Sequence, residues 1–380
     1  MIKTYLSYNN IVCSLGFDSE TVFSEIKNGK SGIQEYQDNS LLNSPFCVSL
    51  LSKEILEVEF KKISSIKDYT KLEKMMICSL SKVITDSALK LDAKVGLIIS
   101  TTKGNIDVLE KDSIFQKKRA YLATLGMKIK EFFHFENDAI VISNACVSGL
   151  LSVSVAKRYI KSGLYDHVFI VSGDIVSRFV LTGFHSFQAL SKSACKPYSN
   201  DRDGITIGEA AASALVTKER GLLCDGALEI LGDATCNDAN HISGPSRTGE
   251  GLYRAITSAL QESKIPDSEI DYISAHGTAT LFNDEMEAVA FNRLGLQNIP
   301  LNSLKGFVGH TTGAAGLLET IIAMHSLQNN LLIASKGFSE IGVSKALNVI
   351  EANQNKNLNT FLKTSSGFGG CNTAAIFRKL

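Results

Sequence analysis

Four side chains, Cys146, His276, Lys305 and His310, lie in glycine-, serine- and threonine-rich stretches whose composition could serve chemistry. Cys146 sits in Ser143-Asn-Ala-Cys-Val-Ser-Gly, with a strand-like apolar run before it and a helix-like run after it. A thiol at such a turn stands at a helix N-terminus, where unpaired backbone N–H groups and the macrodipole favour a thiolate. A strand-to-helix turn also presents a nucleophile at the edge of a sheet. On this stretch alone Cys146 reads equally well as a nucleophile or as an ordinary buried cysteine. His276 lies in Ser274-Ala-His-Gly-Thr-Ala-Thr, where Gly277 lets the backbone turn and Thr278 and Thr280 add hydroxyls. It reads equally as a reactive group or a satisfied core histidine. Lys305 and His310 lie in Asn302-Ser-Leu-Lys-Gly-Phe-Val-Gly-His-Thr-Thr-Gly-Ala-Ala-Gly-Leu-Leu-Glu. A surface loop would not need this much glycine, and a core would not choose lysine, so a functional reading is preferred here. Ser366-Gly-Phe-Gly-Gly-Cys-Asn lacks phosphate-loop spacing. It is read as a loop that brings a backbone N–H close to a reacting oxygen.

One cysteine and two histidines fit covalent acyl transfer, in which a thiolate attacks a thioester carbonyl and keeps the acyl group. If a second thioester loses carbon dioxide from a malonyl group, no strong base is required. The enolate oxygen must then be stabilised, which two imidazole N–H donors can do. A lysine beside one histidine would tune the charges and hold the geometry.

Short apolar runs bounded by Gly, Ser or Asn predict strands at 95–100, 139–143, 167–172, 211–216, 272–275 and 373–377. Helical spacing marks 72–90, 149–161, 253–262, 284–294 and 313–327. This alternation predicts an α/β fold with largely parallel pairing. Two of the helices are rich in small residues: Ser148, Gly149, Ser152, Ser154 and Ala156 in one, Gly313, Ala314, Ala315, Gly316 and Ala323 in the other. Small residues permit close backbone packing, and a helix apolar on most sides is a buried one. Each follows a reactive residue type, Cys146 or His310, which hints at a duplication with residues 217–232 joining the halves.

At 380 residues the chain has room for two to three units of roughly 150 residues, or one large duplicated one. Its 39 basic and 39 acidic residues cancel, which argues against a nucleic-acid binder. The run Lys117, Lys118, Arg119 and the pair Lys61, Lys62 read as solvated faces, with a patch for an acidic protein partner as the alternative. None of the eight cysteines stands at CxxC spacing, so zinc and redox-dithiol readings fail. No signal peptide and no 18-residue apolar stretch is visible. A cytoplasmic protein with reduced thiols and no membrane partner is expected.

Together, and in this order, the motifs resemble those of the β-ketoacyl-(acyl carrier protein) synthases, the elongating branch of the thiolase-like condensing enzymes. The resemblance covers most of the chain. It takes in Ile11-Val-Cys-Ser-Leu-Gly, Ile26-Lys-Asn-Gly-Lys-Ser-Gly-Ile, Ala145-Cys-Val-Ser-Gly and Gly183-Phe-His-Ser-Phe-Gln-Ala-Leu-Ser. It continues through Lys196-Pro-Tyr-Ser-Asn-Asp-Arg-Asp-Gly with Gly208-Glu, His276-Gly-Thr-Ala-Thr, Lys305 to Glu319, and Gly367-Phe-Gly-Gly with Asn372.

The resemblance implies a duplicated, five-layered α/β/α/β/α thiolase-like fold. One half, 1–220, would carry the nucleophilic cysteine, and the other, 221–380, the two histidines. It implies a condensation of a Cys146-bound acyl group with malonyl-carrier protein in fatty acid elongation. By position, Cys146 would accept the acyl group. His276 and His310 would bind the malonyl thioester carbonyl and assist decarboxylation. Lys305 would hold the network, with Glu319 as its charge partner. Backbone N–H groups of Cys146 and Phe368 would form the oxyanion hole, between the supporting Gly367 and Gly369, and Phe368 would gate the acyl pocket. Thr278 and Thr280 would contact the phosphopantetheine arm of acyl carrier protein. No cofactor would be bound permanently and no metal is implied. The assembly would be a homodimer, or a heterodimer with a related subunit.

The chain also departs from the family pattern. It is shorter than most members, Ala210 replaces a third glycine, and Ser365-Ser366 stands where a phenylalanine usually precedes the gate. Thr101-Thr-Lys-Gly-Asn is unlike the housekeeping synthases. The alternative is therefore a specialised ketosynthase of a polyene, pigment or polyketide pathway. A catalytically inactive chain-length-factor subunit fits less well, because the nucleophile, both histidines and the lysine are present. A CoA-dependent thiolase would need Cys371 as a second reactive cysteine, and CoA-primed initiating synthases would pair a histidine with an asparagine.

Overall fold

The apolar runs form strands, the segments of helical spacing form helices, and their order repeats once along the chain. The structure, a computed structural model, describes residues 2–242 and 244–380. First come β1 (Tyr5–Cys13), α1 (Lys71–Ser87), β2 (Val95–Ser100), β3 (Ile140–Ile142), α2 (Ser148–Lys161), β4 (His167–Asp174), α3 (Arg178–Ser186) and β5 (Ala210–Thr217). Then follow β6 (Leu228–Asn237), α4 (Glu250–Ser263), β7 (Tyr272–Ser274), α5 (Leu281–Arg293), β8 (Leu301–Asn302), the single turn α6 (Lys305–Val308), α7 (Ala315–Asn329), β9 (Thr360–Gly367) and β10 (Cys371–Lys379). Shorter helices and a small three-stranded sheet occupy the connections.

The strand order is β3-β2-β4-β5-β1 in the first set and β8-β7-β9-β10-β6 in the second, so each strand repeats the position of the one five before it. The sets join where Tyr5 pairs with Glu229 and Leu6 with Leu228. Helices α2 and α7 pack on each other and on strands of both sets, while α1 covers β1, β4 and β5 and α4 covers β6, β9 and β10. Three apolar cores fill the spaces between these layers. This is the five-layered, thiolase-like α/β/α/β/α arrangement.

Pairing is not largely parallel. Within each set the three strands β3, β2, β4 (or β8, β7, β9) run parallel, and every other neighbouring pair in the sheet is antiparallel. The alternation of runs did not reveal this because β9 and β10 are joined by a three-residue turn, 368–370, too short for a crossover.

The local reasons are ordinary ones. Strand β2, VGLIIS, is buried along its whole length because helices cover both faces, so it shows no alternation. Helix α1 begins in a capping box in which Thr70 accepts from the Glu73 N–H and Glu73 accepts from the Thr70 N–H. Every residue of α7 from Ala315 to Leu327 is buried. A Cβ on Gly149 would lie 2.8 Å from the Gly313 carbonyl oxygen and the Leu317 nitrogen, and one on Gly316 would lie 2.6 Å from the Leu150 nitrogen. These glycines let the two central helices touch backbone to backbone.

The basic run at 117–119 is not one solvated face. Arg119 is buried and paired with Glu73 and Asp68, leaving Lys117 and Lys118 exposed. Glu73, drawn inward by the capping box, needs that cation. Lys62 pairs with Glu59 on the surface at 2.7 Å. No helix among the described residues is long and apolar enough to cross a membrane.

Candidate active site

The reactive side chains sit in loops at the carboxyl ends of the parallel strands, where α/β sheets place their ligands. Cys146 follows β3, His276 follows β7, and Lys305 and His310 follow β8. The elbow before α2 is tight. Ala145 takes a left-handed φ of +43°. Ser148 Oγ accepts from the Asn144 N–H at 2.8 Å and donates to the Ala145 carbonyl at 2.6 Å. Cys146 is thus held just before the N-cap of α2.

Cys146, His276 and His310 line one cleft of about 260 Å³, with Thr278, Thr280, Gly367 and Phe368. The imidazole rings of His276 and His310 are 5.2 Å apart, edge to face. Both nitrogens of His310 are buried without a hydrogen-bond partner among the described residues, as expected of a group that bonds a ligand. Gly369 is not in the cleft lining. Its φ of +84° shapes the β9–β10 turn, and its N–H donates to the Ile242 carbonyl at 2.7 Å.

Behind the cleft lies a buried charge cluster. Lys305 Nζ donates to Glu319 Oε1 at 2.7 Å, to the His276 carbonyl oxygen, and to His276 Nδ1 at 3.3 Å. Those three bonds use all three ammonium donors. They also make Nδ1 an acceptor, so the proton of the neutral ring is assigned to Nε2. The His276 N–H donates to Glu287 Oε1 at 2.9 Å and the Gly277 N–H to Glu287 Oε2 at 2.7 Å. Burial, then Lys305, then His310 and Lys363 push the His276 ring well below the ordinary histidine range. Burial, then Lys305, Lys103 and Lys363 do the same to His310. Both rings are therefore neutral N–H donors at neutral pH.

The resting state expected for Cys146 is corrected. Burial pushes its thiol up to about 12, with Lys103 the largest opposing influence and Cys371 acting with burial. Burial outweighs both the helix N-terminus and the nearby lysine charges, so the resting group is a thiol. Cys371 is raised to about 11, again by burial, which makes it a poor second base.

Phe368 and the glycines around it also border the cleft, except Gly369. A Cβ on Gly367 would lie 3.0 Å from the Cys146 nitrogen, so a larger residue here would press on the Cys146 backbone. Phe368, 39% exposed, packs on Phe184 and Phe187 at 5.6 and 5.5 Å. The Thr278 and Thr280 hydroxyls are 2.8 Å apart. Thr280 also caps α5 through the Asn283 N–H.

Sequence reasoning missed three buried charges. Lys363, on β9, bonds Glu319 Oε2 at 2.7 Å. Asp174, at the end of β4, accepts from Thr101, Thr102, Thr312 and Gly313, tying the loop before α7 to the loop after β2. Glu287, on α5, carries the backbone of His276. A lysine inside the apolar strand 360–367 was a readable signal, by the argument already applied to Lys305. The two acids gave none, because each acts across the fold on residues remote in sequence. Among the described residues no group of three or more His, Cys, Asp or Glu could hold a metal ion.

Comparison with known proteins follows the same lines. Residues 11–220 match the family profile "Beta-ketoacyl synthase, N-terminal domain" and residues 228–339 match "Beta-ketoacyl synthase, C-terminal domain". The chain is 31% identical over 274 residues to the 3-oxoacyl-[acyl-carrier-protein] synthase 2 of Rhizobium meliloti, covering 68% of this chain and 64% of that one. It is 32% identical over 258 residues to the actinorhodin polyketide putative beta-ketoacyl synthase 1 of Streptomyces coelicolor, covering 64% and 55%. The chain thus spans somewhat less than two thirds of the length of these two relatives. Its fold is similar to that of a ketosynthase (ApeO) in complex with its chain length factor (ApeC) from Xenorhabdus doucetiae. The TM-score is 0.88 and the identity 25%, over 100% of this chain and 98% of that one.

Proposed function

The chain belongs to the beta-ketoacyl synthase family, and from that premise we propose that it is a condensing enzyme joining a Cys146-bound acyl group to malonyl-carrier protein. The observation that carries this reading is one cleft lined by a buried thiol and two neutral imidazoles. In the first half-reaction the Cys146 sulfur attacks the acyl thioester carbonyl. The acyl group moves to sulfur, and the thiol proton leaves with the carrier's phosphopantetheine thiol. In the second, malonyl-carrier protein loses carbon dioxide, and the electron pair of the broken bond becomes an enolate. The Nε2–H of His276 and an N–H of His310 hold the enolate oxygen. The enolate carbon attacks the acyl carbonyl, whose oxyanion is received by the Cys146 and Phe368 N–H groups. Collapse expels the Cys146 thiolate, which takes up a proton from water, and releases 3-oxoacyl-carrier protein.

Lys305, clamped on Glu319, orients His276 in this scheme, Gly367 and Gly369 shape the gate turn around Phe368, and Thr278 and Thr280 receive the phosphopantetheine arm. Residues 1–220 and 221–380 serve as the two thiolase-like halves. The working assembly is a dimer, of two copies or of one copy with a related subunit. Eight free thiols favour a reducing, cytoplasmic setting.

The acyl group is that of fatty acid elongation. A specialised polyene, pigment or polyketide ketosynthase is the second reading, favoured by the likeness to a ketosynthase that works beside a chain length factor. Intact-mass measurement after competition among saturated, polyunsaturated and aryl-primed carrier-bound acyl groups tests both. A single adduct on Cys146 is expected, and the winning group selects the pathway. No adduct from any of them overturns the condensing role.

A further inference from the structure

The Glu319 carboxylate is shared by two lysines, Lys305 at 2.7 Å and Lys363 at 2.7 Å, and neither lysine has any exposed side-chain surface. A buried carboxylate needs one cation. The second must answer to something else, and its other bonds say what. Lys363 Nζ donates to the Thr364 carbonyl at 2.7 Å and to the Ser274 carbonyl at 3.1 Å, with the Ala275 carbonyl 3.4 Å away. Ser274 and Ala275 lead directly into His276, whose own carbonyl is taken by Lys305. Two ammonium groups anchored on one carboxylate therefore hold three successive carbonyls at the end of β7.

Charge gives the same answer. From α5, Glu287 accepts the N–H groups of His276 and Gly277, and also the Tyr198 hydroxyl at 3.0 Å. Among the described residues no salt bridge to a cation reaches it; the Thr364 hydroxyl donates to Glu287 Oε1 at 3.3 Å, and Glu287 acts through space on Lys363. Asp284, also on α5, is pushed up to about 6 by burial and faces Arg202 at 3.8 Å. From β7 itself comes the neutral Tyr272 phenol, bonded to Asn302, and from the loop before α7 comes His310. Counted around His276, Glu319 and Glu287 balance Lys305 and Lys363, and Asp284 balances Arg202. With Lys363 removed, two buried carboxylates would flank the imidazole against one lysine and draw a proton onto it.

We propose that Lys363 is a positioning residue of this site: it fixes the chain leading into His276 and completes the cation count that presents the ring as a neutral N–H donor. This rests on the condensing function proposed above, in which that donor holds the enolate oxygen. A protonated ring would lose its hydrogen bond from Lys305 and repel it, disturbing the alignment at the moment of decarboxylation.

The test measures ring protonation apart from activity. In the whole protein labelled with ¹⁵N-histidine, the His276 signal, identified by its loss in His276→Gln, is followed between about pH 5 and 8. The wild-type ring should stay neutral throughout. In Lys363→Met, its protonation midpoint should rise toward the ordinary histidine value, and the ring should begin to titrate at the acid end of that range. The acid limb of malonyl-carrier decarboxylation should move up with it. Lys363→Met combined with Glu319→Gln, which removes one charge of each sign, should bring the limb back toward wild type. Lys363→Gln, which keeps a donor and loses the charge, should shift the limb as Lys363→Met does. A lower rate with an unmoved limb and an unmoved titration would overturn the proposal. So would a wild-type ring that titrates near its ordinary value, a result that needs no variant to fold. Expected titrations with no decarboxylation at any pH would uphold the role of Lys363 and overturn the condensing function instead.

Discussion

The two loops that meet at the cleft occupy the same place in the two strand sets, yet they solve different problems. The loop from β3 to α2 spans residues 143–147 and contains no charged side chain. It delivers Cys146 into a buried position that keeps the thiol protonated. The loop from β8 to α7 spans residues 303–314 and includes the extra turn α6, which carries Lys305 inward. It delivers His310, and through Lys305 it grips His276 in the neighbouring loop. One repeat thus holds a buried, protonated thiol at the cleft. The other uses burial, reinforced by the Lys305 charge, to hold two imidazoles neutral. A duplicated scaffold can diverge this far because the helices and strands bear the packing, leaving loop length and composition free to change.

The contrast can be broken one side at a time. Cys146→Ala should abolish the acyl adduct in intact-mass spectra and reduce condensation by ~10⁴-fold or more, while malonyl-carrier decarboxylation persists. His310→Ala should do the converse: the adduct still forms, and decarboxylation falls by about 10²–10³-fold, as for loss of an oxyanion donor. If either variant lost both half-reactions equally while remaining folded, the division of labour between the loops would be wrong.

A smaller effect should come from the contact that holds the loops in register. Gly316→Ala places a methyl 2.6 Å from the Leu150 nitrogen and should cost about 1–3 kcal/mol in urea unfolding. An unchanged midpoint would mean that the two central helices are not in backbone contact.

The pH behaviour of the first loop sharpens the contrast further. With the Cys146 thiol pushed up to about 12, its thiolate fraction should climb about tenfold per pH unit from 7 to 10, and iodoacetamide labelling of Cys146 with it. A plateau near neutrality would restore the thiolate expected from the helix N-terminus. The smallest change belongs to the gate. Phe368→Ala should leave the chemistry of both half-reactions in place and alter which acyl group wins the competition for Cys146. An unaltered preference would remove Phe368 from selection.

The sequence by itself determined the elements and which residues are candidates for the reactive groups. Strands and helices were legible as apolar runs and helical spacing, because burial demands them locally. Lys305 and His310 were legible because a lysine and so much glycine stood where packing alone would not put them, whereas Cys146 and His276 were singled out by the family resemblance. The strand order, and the antiparallel returns of β5 and β10, were decided by tertiary structure, since periodicity carries no information about which edge a strand joins.

The charge state of the site was decided there too. A helix N-terminus is written in the order of residues, but the enclosure of Cys146 is assembled from segments more than a hundred residues apart. Lys363, Glu287 and Asp174 belong to the same class. Each is one charged residue in its own stretch, and becomes part of the site only when the fold brings its partner from a remote strand or helix. Buried electrostatics depends on distances through space, and those exist only once the layers have closed.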